Sequence, residues 1–384
     1  MSTHFDVIVV GLGAMGASAC GELARRGAKV LALEQFNLLH SLGSSHGQSR
    51  LIRLAYYEHP DYVPLLKRAH ELWREMQAKQ GDIFRQSGVI YLGPPSSPLI
   101  SGSEASARKY DIPHEMLDRR ELRARFPQFE VPEDYLGMFE PAAGILRPES
   151  ILHHYLSAAL STGVQIHACE PVTSWQATAS SVTIETAKAT YTAKHLIFCS
   201  GAWTGAIVQD LGVTLKVTRQ LSAWFWPRSP ELFAPDRTAS WAIDNGAGGL
   251  FYGFPMLPGY PGVKIAIHAP GAEVSPGQVT RSFLPGDDVE IRAAIRQYLP
   301  AAEGPLLAST VCLYTNSPDS HFIVDRHPRH ERVTIAAGFS GHGFKFASVM
   351  GEILADLALS GKPSLPTEFL SLKRFANPRP ARIG

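Results

Sequence analysis

The sequence predicts an α/β protein: a Rossmann-like parallel-sheet domain built from both ends of the chain, with a second domain on a mainly antiparallel sheet inserted in pieces. Three stretches predict this. Near the N-terminus, "FDVIVV" (Phe5 to Val10) runs into "GLGAMG", a helical segment and a second apolar strand. Near the C-terminus, "RVTIAAG", "FSGHG" and "FKFASVMGEILADLALSG" repeat the order strand, glycine turn, helix. Between about 215 and 317 short runs such as "GLFYGF" and "GVKIAIHA" alternate along the chain. That pattern suits an antiparallel sheet with one face on a core and one open.

Each element follows in order. Phe5 to Val10 is a short apolar run, as expected of a strand buried on both faces. Gly11, Gly13 and Gly16 follow it, then the helix "ASACGELARR", which ends near Gly27, then the strand "KVLALE", which closes on Glu34. The acid lies eighteen residues after the third glycine. A polar loop, "SLGSSHGQSRLIRLAYYEHPDY", carries His46, Arg50 and Arg53. From about Asp61 a helix is expected, with Pro64 in its first turn and Leu65, Leu66, Ala69, Leu72, Trp73 and Met76 at helical spacing. Residues 89–145 are mixed and proline-containing, and Leu196 to Cys199 reads as a buried strand ending in a Ser-Gly turn. In the last helix Phe346, Val349, Met350, Ile353, Leu354 and Leu357 make one apolar stripe, and Gly361 can cap its end. Residues 1–88, 146–214 and 318–384 are assigned to the nucleotide-binding domain, and 89–145 and 215–317 to the substrate domain.

Composition narrows the function. The 384 residues are 45% apolar and 18% charged, enough for a substantial core, with a formal net charge of +1. No basic stripe or block of like charge stands out, which argues against nucleic acid and anionic membrane as partners. Cys20, Cys169, Cys199 and Cys312 form no CxxC pair, so neither a disulfide framework nor a zinc site is expected. His327 and His330 in "DRHPRHE" lack acidic or thiol partners at ligand spacing and read as a solvated loop, so no metal is expected. No leader sequence, membrane-length apolar run or peroxisomal "SKL" ending is visible, so a cytoplasmic protein is expected.

The glycines carry the first chemistry. Gly11 permits a tight turn, Gly13 lets a pyrophosphate approach the backbone, and Gly16 lets the helix pack on the strand. The helix N-terminus then offers unpaired N–H groups and a positive dipole end to phosphate, and Glu34 is placed for a ribose. "AAGFSGHGFK" offers a second helix N-terminus. A flavin ring needs such a donor where negative charge accumulates on reduction, so two glycine turns suggest FAD and not NAD. A serine hydrolase is excluded because "GFSGH" has His342 where GxSxG needs glycine. Lys264, Ala266 and His268 share one face of "GVKIAIHA"; on pattern alone that lysine is a solvated-face charge or a functional one, and the solvated face is the favoured reading. Cys312 and Tyr314 likewise share a face of "STVCLYT", where a cysteine is by default a small buried apolar side chain.

The motifs "GLGAMG", "SSHGQSRLIRLAYYE", "YVPLLKRAHELW", "LFYGFP", "VKIAIH", "VCLYTNSPDSHFIVD" and "GFSGHGFKFASVMGE" together resemble the monomeric sarcosine oxidase and N-methyltryptophan oxidase family, nearly end to end. The resemblance implies a glutathione-reductase-like FAD-binding domain and a monomer. It implies FAD joined through its 8α-methyl to the sulfur of Cys312. Arg53 and Lys345 would hold a substrate carboxylate, and Lys264 would activate oxygen. His268, Tyr252, Tyr314 and Arg50 would line the catalytic site. His46, Val172, Gly341, Gly343 and Phe344 would join Gly11, Gly13, Gly16 and Glu34 in holding the cofactor. The family often has an aspartate where this chain has Gln48. The implied reaction is oxidation of the N-methyl group of a secondary amino acid by O2. An NAD(P)-dependent hydroxyacid dehydrogenase, which also opens with "GLGxMG", a flavin dehydrogenase using another acceptor, and a non-enzymatic flavin module are the alternatives.

Overall fold

A computed structural model describes residues 4–376 except 245, 247, 248, 260, 261 and 270. The "ARIG" ending lies outside the described residues. The N-terminal unit forms as its sequence predicts: strand β1 (His4–Val10), helix α1 (Ala14–Arg25), strand β2 (Val30–Leu33). β2 is buried at all four positions because sheet neighbours lie on both sides and helices cover it. Five strands run parallel in the order Gln165–His167, β2, β1, Thr190–Phe198, His330–Ala337. An antiparallel pair, Val172–Ala177 and Val182–Thr186, extends one side, and Ile323–His327 pairs antiparallel with His330–Ala337. α1 packs against the helix Ala347–Leu359, and the two approach closely where Gly351 faces Ser18. A side chain at Gly16 would overlap the Gly11 carbonyl, which is why the turn needs glycine there.

The second sheet has eight strands: Leu306–Asn316, Lys216–Phe225, Val263–His268, Leu250–Phe254, Ser240–Asp244, Val89–Gly93, Leu136–Glu140 and Glu115–Leu117. Its neighbours pair antiparallel except at one junction, where Ser240 to Ile243 run parallel to Val89 to Leu92. That junction knits the segment after residue 88 to the segment after residue 214. On one face Val263, Ile265, Phe225, Phe251 and Trp241 form a core with Ile291, Ile295 and Tyr298. Those three lie on a helix, Val289–Tyr298, that the alternation signal did not reveal. The opposite face was expected to be open, yet Lys264 is 3% exposed and Ala266 1%. It is covered because the loop after β2 and the parallel-sheet domain lie over it.

Two other expectations change. The helix expected from about Asp61 begins at Val63, after a turn at Pro60–Tyr62, and runs to Gln80. Its buried Leu65, Leu66 and Trp73 each contribute about 1.5–3 kcal/mol by burial. His327 is not a solvated loop residue: it is buried, its Nε2 lies 3.0 Å from Asp210, and the Trp175 ring packs on it. Asp210, 117 residues away, supplies the acidic partner that short-range spacing could not show. It gathers with His327 and His330, while Arg329 pairs with it and donates its backbone N–H to His327 Nδ1. Among the described residues, no helix is long and apolar enough to cross a membrane.

Candidate active site

A cavity of about 330 Å³ runs between the glycine turn and the second sheet. At one end lie Gly11, Leu12, Gly13 and Glu34. Gly11 sits at φ 93°, a backbone region open to glycine, and its N–H donates to the Leu33 carbonyl at 2.8 Å. Gly13 is the N-cap of α1 and has no side chain to cap it; Ala14 N donates to Ser45 Oγ at 3.0 Å, and the positive dipole end of the helix borders the cavity. Glu34 accepts from Leu12 N at 2.8 Å and Phe36 N at 3.0 Å. Burial would raise its pKa, but His40 and these N–H groups outweigh that and hold it below the usual carboxylate range. Val172 also lines the cavity.

The other end gathers residues from five separate segments. Strand Arg50–Ile52, in a small three-stranded sheet with Gly144–Leu146 and Phe84–Gln86, projects Arg50. Strand Leu306–Asn316 carries Cys312 and Tyr314; Leu250–Phe254 carries Tyr252; Val263–His268 carries His268. The turn before the last helix supplies Gly341, Gly343, Phe344 and Lys345. Gly341 stands at φ 79°, and a Cβ there would overlap the Tyr314 ring.

Arg50 Nη2 lies 3.5 Å from Cys312 Sγ, and His46 Nε2 lies 3.9 Å from it. Burial would raise the thiol's pKa, but the Arg50 charge, the His46 contact and Lys264 bring it down to about 6. Cys20 and Cys199 are buried without such cations, and burial pushes both thiols up. His268 Nδ1 lies 3.3 Å from Tyr314 OH, and burial brings this imidazole down to about 4, so it is neutral at pH 7.

Arg53 and Lys345 both lie near one ring: Arg53 Cζ is 4.2 Å and Lys345 Nζ 5.3 Å from the Tyr56 centroid. Arg53 donates to Ala55 O at 3.1 Å and to Glu58. Burial would raise Glu58, but Arg53, His342 and Lys345 hold it down at about 2. Lys345 Nζ donates to His342 O at 2.6 Å, and its backbone is held by Trp73 Nε1 donating to Lys345 O at 2.8 Å. Burial and the Arg53 charge bring Lys345 down to about 7, against the pull of Glu58.

His46 and Lys264 stand just behind the cavity wall. Lys264 Nζ donates to Gly47 O at 2.6 Å and Ser49 O at 2.9 Å. Sequence reasoning missed three acids. Glu58 follows Arg53 by five residues and reads only as a loop acid. Glu140 is fully buried and accepts from Leu54 N, Ala55 N and Tyr91 OH, which fixes the backbone beside Arg53. Glu149 accepts from the N–H groups of Gly47 and Gln48. No local pattern marks the last two, because their partners lie 86 and 102 residues away.

Residues 6–357 match the model of the FAD dependent oxidoreductase family. The chain belongs to that family. It is 41% identical over 383 residues to monomeric sarcosine oxidase of Streptomyces avermitilis, covering 98% of this chain and 99% of that protein. It is 36% identical over 375 residues to N-methyl-L-tryptophan oxidase of Citrobacter koseri, covering 97% and 99%. The fold is similar to that of L-proline dehydrogenase from P. horikoshii, with TM-score 0.85, 21% identity, and 98% and 99% of the chains covered. The cavity fits the family's FAD. A helix N-terminus and a glycine turn suit a pyrophosphate, and Glu34 suits a ribose. The far end offers cations, a polarised thiol and a glycine turn for the ring.

Proposed function

We propose that this flavoprotein oxidises the N-methyl group of a secondary amino acid, of the sarcosine or N-methyltryptophan kind. Amine, dioxygen and water give the primary amino acid, formaldehyde and hydrogen peroxide. The observation that carries the reading is the pair of buried cations, Arg53 and Lys345, both close to the Tyr56 ring and both lining the cavity that also holds Cys312. The names of the relatives agree with it.

Bound FAD supplies a two-electron acceptor for the substrate's C–N bond and passes the pair to dioxygen. The protein does the rest. Arg53 and Lys345 bind the carboxylate, and Glu58 keeps the guanidinium aimed. The amine must shed its proton, since an ammonium has no lone pair to assist oxidation; His268, held neutral by burial beside Tyr314, would hydrogen-bond the amine without adding a further cation to the site. Tyr252 and Tyr314 close the site against water. Lys264 serves the oxygen step, where a fixed cation stabilises charge transferred to dioxygen. Arg50 and His46 lower the pKa of the Cys312 thiol, so that Cys312 would be the residue to hold FAD covalently, through the 8α-methyl group. Residues 1–88, 146–214 and 318–384 would hold FAD, and 89–145 and 215–317 the substrate. We further infer a cytoplasmic monomer.

The test is an anaerobic bleaching screen of N-methyl amino acids, followed by peroxide and formaldehyde assays in air. Bleaching by at least one N-methyl amino acid, with equal yields of peroxide and formaldehyde, is expected. Bleaching with no peroxide in air would instead make the protein a dehydrogenase.

A further inference from the structure

Lys264 is buried at the sheet face, and the charged and aromatic groups that face it come from five elements. They are Arg50, Cys312 and Glu149, with the rings of Trp224 at 5.3 Å and Phe254 at 5.1 Å from Nζ. Arg50 is a like charge. Cys312 ceases to be an anion once it is tied to a cofactor as a thioether. Among the described charged residues around Nζ, that leaves Glu149 as the counter-charge. It sits in the first turn of helix Pro148–Ser161, on the protein surface, on the far side of the Gly47–Gln48 loop.

The connection is a single peptide group. The carbonyl of Gly47 accepts from Lys264 Nζ at 2.6 Å. The N–H of that same amide, carried by Gln48, donates to Glu149 Oε1 at 3.0 Å and Oε2 at 3.1 Å. Gly47 N adds a third bond to Oε1 at 2.7 Å. In a trans amide the N–H and C=O point in opposite directions, so this dipole lies with its negative end on the ammonium and its positive end on the carboxylate. The loop adopts a rare backbone to achieve this, with Gly47 at φ 94° and Gln48 at φ 70°. Successive N–H groups turned to one side in this way form an anion-binding concavity.

We propose that Glu149 is the counter-charge of Lys264, acting through the Gly47–Gln48 amide, and is thereby a positioning residue for the oxygen step. The arrangement keeps an ammonium beside the cavity without burying a carboxylate with it. A buried carboxylate would carry a desolvation cost of its own, whereas an exposed one stays hydrated and acts through an oriented dipole. Burial and Arg50 both push Lys264 well below its ordinary pKa, and Glu149 opposes them. The proposal rests on the reading of Lys264 as the oxygen-step cation.

The test measures Lys264 directly in the purified flavoprotein. Lysine labelled with 13C at Cε gives a resonance that is assigned by its loss in Lys264→Met and followed against pH. Glu149→Gln should lower its titration midpoint by about half to one unit, a three- to tenfold change in proton affinity, the modest size reflecting solvent screening of an exposed charge. Glu149→Asp, which keeps the charge, should lie nearer the wild type. Flavin reoxidation by oxygen should lose its alkaline limb at correspondingly lower pH in Glu149→Gln, because the ammonium is lost as pH rises through its midpoint. In a Lys264→Met background Glu149→Gln should have no further effect on reoxidation. A Lys264 midpoint unchanged by Glu149→Gln overturns the proposal, as does an equal effect of Glu149→Gln with and without Lys264. Normal reoxidation in Lys264→Met alone would overturn the reading of Lys264 instead, and the resonance would still report whether Glu149 is coupled to it.

Discussion

Lys345 is the group whose charge the proposed carboxylate site can least take for granted. Burial and Arg53 bring its pKa to about 7, whereas Arg53 itself, held up by Glu58 against burial, stays a cation throughout. A carboxylate ligand needs the Lys345 ammonium, so the sign follows. Below about pH 7 the free protein already carries the proton. Above it, each binding event must take up a proton, and the dissociation constant should climb toward tenfold per pH unit until the pKa of the complex is reached. Methoxyacetate is a suitable probe: it has the shape of sarcosine, an ether oxygen in place of the amine, and no group titrating between pH 6 and 9. Its binding can be followed by calorimetry or flavin absorbance. Lys345→Met removes one charge-assisted hydrogen bond, about 1.5–3 kcal/mol, or ten- to a hundredfold in affinity at low pH. The same substitution should flatten the pH dependence, since Arg53 does not titrate in that range. Arg53→Met should weaken binding by a similar factor yet keep the slope. A wild-type constant that stays flat from pH 6 to 9, or a slope that survives in Lys345→Met, would refute the reasoning and remove Lys345 from the carboxylate site.

Three further outcomes are expected. Acid precipitation should carry the yellow colour into the pellet with the wild type and leave it in the supernatant with Cys312→Ala; flavin-free protein should lose Cys312 to iodoacetamide with a midpoint near pH 6, well below that of an ordinary thiol. In stopped flow, Lys264→Met should slow reoxidation by at least about 10²-fold and anaerobic reduction far less, and the reverse pattern would assign the lysine to the amine step. Gly341→Ala introduces a Cβ that overlaps the Tyr314 ring at a φ of 79°, so it should cost about 1–3 kcal/mol in denaturant unfolding and raise KM as Tyr314 moves; unchanged stability and KM would show that the turn can relax.

The parts of this protein that the sequence discloses are those whose cause is local. The run from Phe5 to Glu34 announces its strand, turn and helix because buried parallel strands need apolar residues at every position and the Gly16 contact admits no side chain. The stripe from Phe346 to Leu357 and the alternation around Lys264 are periodicities of the same local kind. What periodicity cannot show is what lies opposite a face. "GVKIAIHA" correctly puts Lys264, Ala266 and His268 together, but the same pattern serves a strand facing water and a strand facing another domain. Only the fold reveals that Lys264 is 3% exposed. Likewise "DRHPRHE" looks hydrophilic, and the partner that buries His327 is Asp210, 117 residues earlier.

Counter-charges are hidden most thoroughly, and for a physical reason. A cation that binds or polarises a ligand is constrained in type as well as position, so Arg53 and Lys345 stand out against apolar and glycine-rich flanks, whereas the pattern around Lys264 leaves it a solvated charge until the fold buries it. The acid that holds such a cation need only present a carboxylate at the right point in space, and any segment that passes nearby can supply it. Glu58 comes from the same loop as Arg53, Glu140 from the end of a strand, and Glu149 from a helix N-terminus, where a negative charge is already favoured by the dipole. That last placement is itself a disguise: an acid in a first helical turn reads as ordinary helix chemistry. Here the same carboxylate has N–H groups of another segment at 2.7 and 3.0 Å, and it is this second set of bonds, not its position in the helix, that ties it to Lys264.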